Sequence, residues 1–210
     1  MMKRILTAGG LGLCLAMGAQ AKEPQDKLPG ANAVMSFDSR FHPVIAENGM
    51  VSAQDRIAAE VGRDILARGG NAVDAAVATG FALAVTHPQA GNLGGGGFMM
   101  IALEGQDEVI ALDFREMAPA AATRDMYLGT DGAVDNKLAR YSHLSAGVPG
   151  TVMGMLDALE TYGTMTRRQV IGPAVRLAYQ GFPISYGLAA SLENGKEARS
   201  ADPSSWAYFF

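Results

Sequence analysis

From Gly49 onward the chain switches between helical and continuous apolar patterns. In SAQDRIAAEVGRDILARGG, Ile57, Val61 and Ile65 recur every four residues, the spacing of one helix face. Ser52, with Asp55 three residues later, reads as a capping-box-like start, and Gly69-Gly70 reads as the stop. NAVDAAVATGFALAVTHP follows at once. Asn71 is placed to cap it and His87-Pro88 to end it. Its side chains are small and apolar on every side, which predicts a buried helix. The segment is too short to span a bilayer.

Two short apolar runs come next, GFMMIALEG and EVIALDF, separated by a glycine-containing turn from Glu104 to Asp107. They predict a hairpin. Neither run alternates apolar with polar, and such strands suit a sheet covered on both faces. A short helix is expected to start at Thr123, with Asp125 and Met126. VPGTVMGMLDALETYG and TRRQVIGPAVRLAYQG read as amphipathic helices, each closed by glycine, and Ser185 to Asn194 as a third. The fold class implied is α/β, with a sheet between helix layers. Residues 22–48 are polar, contain proline and show no period, so they form an extended lead-in to the patterned part, residues 49–210.

The N-terminus has a different pattern. Lys3 and Arg4 precede the apolar run ILTAGGLGLCLAMG, which leaves through Ala19-Gln20-Ala21. This is the layout of a secretory signal peptide over residues 1–21, cleaved after Ala21. It implies a periplasmic or secreted protein with no membrane attachment after cleavage. Cys14 is the only cysteine, so the mature chain has none. That excludes disulfides, thiolate catalysis and cysteine metal ligands. At 49% hydrophobic and 18% charged residues, with 26 glycines, the chain reads as a well-buried, loop-punctuated fold rather than a disordered one. The formal charge is −4, and residues 1–21 carry two basic and no acidic side chains. Nothing in that balance suggests a nucleic-acid partner.

The stretch GNLGGGG, Gly91 to Gly97, invites a phosphate-cradle reading that fails on detail. No Lys-Ser or Lys-Thr follows, the spacing is not G-x-G-x-x-G, and a strand follows rather than a helix. A tight turn with close backbone approach fits better. His42, His87 and His143 are isolated, without metal-ligand spacing. His87 reads as a helix terminator and Ser142-His143 as loop. Arg115 stands out in EVIALDFREMAP. An arginine where a buried strand ends is partly desolvated and calls for a partner. One answer is a structural ion pair with Glu116 or Asp113. The other is a planar fork for a substrate carboxylate. The residues alone leave both open.

GGNAVDAAVATGFALAVTHPQAGNLGGGGFMMIAL, LDFREMAPAAATRDMYL and SHLSAGVPGTVMGM occur in this order at close spacing. Together they closely resemble the γ-glutamyltransferase (γ-glutamyl transpeptidase, glutathione hydrolase) family of the bacterial exported type, over about residues 47–200. The resemblance implies an N-terminal-nucleophile hydrolase with an αββα fold. Such an enzyme moves the γ-glutamyl group of glutathione to water or to an amino-acid acceptor. The precursor cuts itself into two subunits, and a threonine freed at the new N-terminus is the nucleophile. No metal or organic cofactor is implied. The arginine of the FREMAP motif binds the α-carboxylate of the glutamyl group, and that position is Arg115. The role of Glu116 stays open between orienting Arg115 and capping the next segment.

The resemblance also implies what these residues lack. Family precursors are much longer than 210 residues, and the match covers the first part of the large subunit. The Thr-Thr-His context of the self-cleavage point is absent, and Thr86-His87 is a poor stand-in because no threonine precedes it. The chain alone is therefore expected to be inactive. Its partners are expected to be γ-glutamyl small molecules, the remaining large-subunit part and the small subunit. Without those polypeptides the hairpin edges and faces stand open, so a poorly soluble or partly molten product is expected. Two other readings share the same anchor: a non-catalytic periplasmic γ-glutamyl-peptide-binding module, and a subunit completed by a separately encoded threonine-bearing chain.

Overall fold

The structure, a computed structural model, describes residues 45–200 and 203–209. The signal-peptide reading, Cys14, His42 and most of the lead-in lie outside the described residues. All the elements below belong to the compact unit that begins at Ala46.

Helix α1 spans Arg56–Ala67. Asp55 has extended backbone and its carboxylate accepts the Ala58 N–H at 3.0 Å, so it is the N-cap. This corrects the expected start at Ser52, which lies outside the helix. The end is as expected. Gly69 takes a φ of 88°, and the Gly69 and Gly70 N–H groups donate back to Leu66 and Ile65 at 2.9 and 3.0 Å. That pair of bonds is a Schellman motif, and the left-handed turn requires glycine.

Helix α2 spans Ala72–Thr86 with a full capping box. Asn71 accepts from Val73 and Asp74, and Asp74 returns a bond to the Asn71 N–H. As predicted from its uniform small apolar side chains, most of α2 is buried. It packs against α1, α4 (Thr151–Tyr162) and α5 (Arg167–Gln180). Val73, Val77 and Phe81 meet Ile65, Met155, Leu159 and Val170 in the core. The α1–α2 approach is close because Gly62 has no side chain. A Cβ there would run into Thr79 Oγ1 and stand 3.2 Å from the Ala75 carbonyl oxygen.

The hairpin forms as predicted. Strands β1 (Phe98–Ala102) and β2 (Val109–Asp113) pair antiparallel, with Ile101 opposite Ile110. Period-two alternation turns Met99, Ile101, Ile110 and Leu112 towards the helices. Phe98, Met100 and Val109 stay exposed at 65%, 67% and 54%. The expected sheet covered on both faces is thus half present: among the described residues, helices cover one face and nothing covers the other.

Beyond β2, the helix expected from Thr123 does not form. The Met126 and Leu128 N–H groups donate to Thr123 and Asp125 in successive turns, Leu128 bridges to Val134, and the Tyr127 hydroxyl ties to the Leu144 carbonyl. Turn and bridge bonds satisfy this backbone, and Gly129 follows before a helical face can build. Three elements have no counterpart in the sequence reading: α3 (Asn136–Tyr141), α7 (Lys196–Ser200) and α8 (Pro203–Phe209). Helix α3 buries no residue, so it has no apolar period to read. His143 opens a short 3₁₀ turn, His143–Ser145, rather than a plain loop. The glycine-closed helices α4 and α5 and the third helix α6 (Tyr186–Asn194) form where expected.

A buried carboxylate fastens this unit together. Asp74 is fully buried on the first turn of α2. Its oxygens accept from the Asn71, Thr164 and Met165 N–H groups and from the Thr164 hydroxyl at 2.6–3.1 Å. The donors at Thr164 and Met165 belong to the α4–α5 connection. Burial alone would push the Asp74 carboxyl up; the bonds from Thr164, Asn71 and Met165 outweigh it and hold the group below its usual range.

Candidate functional site

Arg115 sits just past the end of β2, on a segment held from both sides. On one side Phe114 and Gly97 exchange hydrogen bonds of 3.1 and 3.4 Å, extending the hairpin ladder by one pair. On the other, Met117 and Val148 exchange bonds of 3.2 and 2.8 Å. Two glycines make the close approach possible. A Cβ on Gly96 would lie 2.7 Å from Arg115 Cα and would overlap the Glu116 N–H, and a Cβ on Gly150 would overlap the Phe114 carbonyl oxygen. The glycine run is therefore the close backbone approach that its composition suggests.

The same run is stitched to the start of α4. The Gly95 carbonyl accepts the Gly150 and Thr151 N–H groups at 2.8 and 3.1 Å. The Asn92 side-chain oxygen accepts the Gly95 N–H at 2.9 Å and the Thr151 hydroxyl. The sequence reading missed Asn92, Gly150 and Thr151. The legible signal was an Asn heading a glycine loop, which often bonds to backbone two or three residues on. Its partner, 59 residues away, could not be read.

The Arg115 side chain is exposed, not partly desolvated as its position suggested. The strand end opens outwards instead of running into the core. Its backbone N–H donates to Asp113 at 3.0 Å. Its guanidinium makes no hydrogen bond or ion pair among the described residues, so the ion pair with Asp113 or Glu116 does not form. Glu116 is also exposed, and its carboxylate neither reaches Arg115 nor caps a helix. Arg115 borders two clefts. One, of about 350 Å³, also meets Asp113, Met153 and Asp157. The other, of about 380 Å³, meets Glu116, Tyr127 and Ser145. A larger groove of about 670 Å³ between residues 48–53 and α2 has no charged side chain in its lining.

Thr86 closes α2 and is buried, and His87 is the C-cap beside it. Among the described residues no three His, Cys, Asp or Glu side chains are grouped to hold a metal ion, and no helix is long and apolar enough to cross a membrane.

An antiparallel hairpin backed by helices, with a charged motif where its second strand exits, is a partial α/β fold, and the solved structures it resembles place it in the N-terminal-nucleophile hydrolase class. The gamma-glutamyltranspeptidase family model matches residues 58–210, and the chain belongs to that family. It is 54% identical over 171 residues to the glutathione hydrolase proenzyme of Escherichia coli, covering 81% of this chain and 29% of that one. The crystal structure of Helicobacter pylori gamma-glutamyltranspeptidase superimposes with a TM-score of 0.76 at 48% identity, covering 80% of this chain and 48% of that one. For the Pseudomonas nitroreducens gamma-glutamyltranspeptidase complexed with L-DON, the TM-score is 0.73 and the identity 41%, over 79% of this chain and 49% of the other. The chain thus spans less than a third of the E. coli relative and about half of each of these two solved chains.

Proposed function

We propose that this chain supplies the α-carboxylate anchor of an exported γ-glutamyltransferase. The whole enzyme would transfer the γ-glutamyl group of glutathione to water or to an amino-acid acceptor. One observation carries the reading: in the FREMAP stretch, Arg115 presents a guanidinium, unpaired among the described residues, at the edge of two clefts. A free guanidinium offers two parallel N–H groups that match a carboxylate, and the charge-assisted pair is stronger than a neutral hydrogen bond. Among the described residues, no partner has to be displaced before the ligand binds.

The bond-breaking group is a separate matter. The family mechanism needs a threonine with a free amine, and the sequence has no Thr-Thr-His context to release one. Thr86 is buried within a helix end and is not available. The chain on its own therefore holds a carboxylate and does no chemistry. The exposed apolar face of the hairpin favours a sheet completed by further polypeptide over a free-standing binding module. The basic-apolar-small pattern of residues 1–21 supports export to the periplasm or beyond.

The test uses the purified chain with a chromogenic γ-glutamyl anilide and, separately, with L-glutamate. No colour above blank is expected, while L-glutamate should bind and Arg115→Ala should weaken it by about tenfold or more. Turnover above blank that vanishes in Arg115→Ala would overturn the claim of inactivity. Equal L-glutamate affinity in the two proteins would overturn the anchor.

A further inference from the structure

We propose that Asn92 and Thr151 are positioning residues for Arg115, setting the direction from which its guanidinium meets a ligand carboxylate. The inference rests on the reading of Arg115 as a carboxylate anchor. The Arg115 side chain has no partner of its own among the described residues, so the backbone fixes the point from which it projects and the sector its rotamers can reach. That backbone is wedged between Gly96, against Arg115 Cα and the Glu116 N–H, and Gly150, against the Phe114 carbonyl. Any drift between those two glycines tilts the segment that carries the guanidinium.

Glycine runs are poor at holding a position. Gly94 to Gly97 have no side chains to pack and the widest choice of backbone angles. Asn92 supplies what they lack. Its single side-chain oxygen takes the Gly95 N–H and the Thr151 hydroxyl together. One atom thereby ties the glycine loop to the first residue of α4. Thr151 is only 6% exposed, so its hydroxyl has little access to water as a substitute partner. The Gly95 carbonyl bonds to Gly150 and Thr151 keep the two segments adjacent when the clamp is cut. The expected consequence is therefore misaim, not unfolding, and a misplacement of about 1 Å is enough to spoil a directed interaction.

The experiment compares the affinities of the 210-residue chain for L-glutamate and for isoglutamine, in which the α-carboxylate is an amide. The ratio of the two isolates the carboxylate contact, whereas general loosening weakens both ligands alike. The parent is expected to prefer L-glutamate by about tenfold or more, and Arg115→Ala to lose the preference. Asn92→Ala and Thr151→Val should cut it to about threefold or less, and Thr151→Ser, which keeps the donor, should retain it. Thr151→Val leaves the Asn92–Gly95 bond in place, which guards against a misfolded Asn92→Ala. Unchanged preference in both clamp variants, with Arg115→Ala defective, would overturn the positioning role alone. No preference in the parent would overturn the anchor and the positioning role with it.

Discussion

Replacing Asp74 with asparagine tests how the unit is fastened. The carboxylate has no exposure and accepts from four donor groups, three of them on the Thr164–Met165 connection. Asparagine keeps the shape but offers one acceptor oxygen, so its amide NH₂ must face at least one buried donor. Leaving a buried donor unpaired costs about 1–3 kcal/mol, and a bond to a charged acceptor contributes about 1.5–3 kcal/mol. A loss of about 2–4 kcal/mol follows for Asp74→Asn. That is a large share of a typical stability of about 5–15 kcal/mol. In a chain of this size it lowers the melting temperature by about 10 °C. Asp64→Asn is the control: Asp64 pairs with Arg63 on an open helix surface, and its loss should stay within about 0.5 kcal/mol. The pH dependence follows from the lowered carboxyl. A depressed folded-state pKa contributes stability that is fully present above the unfolded value, about 3.9 for Asp. That contribution is lost as pH falls through the lower folded value. The gap between parent and Asp74→Asn, read by urea denaturation followed by circular dichroism, should hold near neutral pH and close in acid. An Asp74→Asn protein as stable as the Asp64→Asn control would refute the argument, as would a gap that persists unchanged into acid.

Two further outcomes follow from packing. Gly62→Ala removes a helix-interior glycine, which usually gains up to about 1 kcal/mol. Here the new methyl meets Thr79 Oγ1 and Val51, so overpacking of about 1–3 kcal/mol should win and the melting temperature should fall. Phe98→Thr with Met100→Thr changes only the open hairpin face. Soluble yield should rise and binding of a hydrophobic dye should drop, with circular dichroism unchanged; a loss of helix signal would show that this face is already packed in the chain.

Much of the fold was legible along the sequence because local signals and tertiary packing agree. Uniformly apolar α2, the hairpin and the glycine-closed α4 and α5 carry their period and punctuation in adjacent residues. Asn71 was readable as a helix start, and FREMAP was readable as a candidate site, although only the resemblance to a family favoured the carboxylate anchor. The Ser52 start and the Thr123 helix went astray because capping and turn signals look alike until the backbone partners are known. Helix α3 was invisible because it buries nothing.

Other features needed the fold. Asp74 bonds to Thr164 across 90 residues, and Asn92 to Thr151 across 59; neither spacing has a period that a reader of sequence could follow. Arg115 looked like a half-buried charge in need of a carboxylate, because the strand before it is apolar. The tertiary structure turns that strand end outwards and leaves the guanidinium unpaired among the described residues. Sequence by itself determined which residues carry charge, flexibility and apolar surface. Folding decided which of those groups meet, because contact depends on how the helices and hairpin pack and not on distance along the chain.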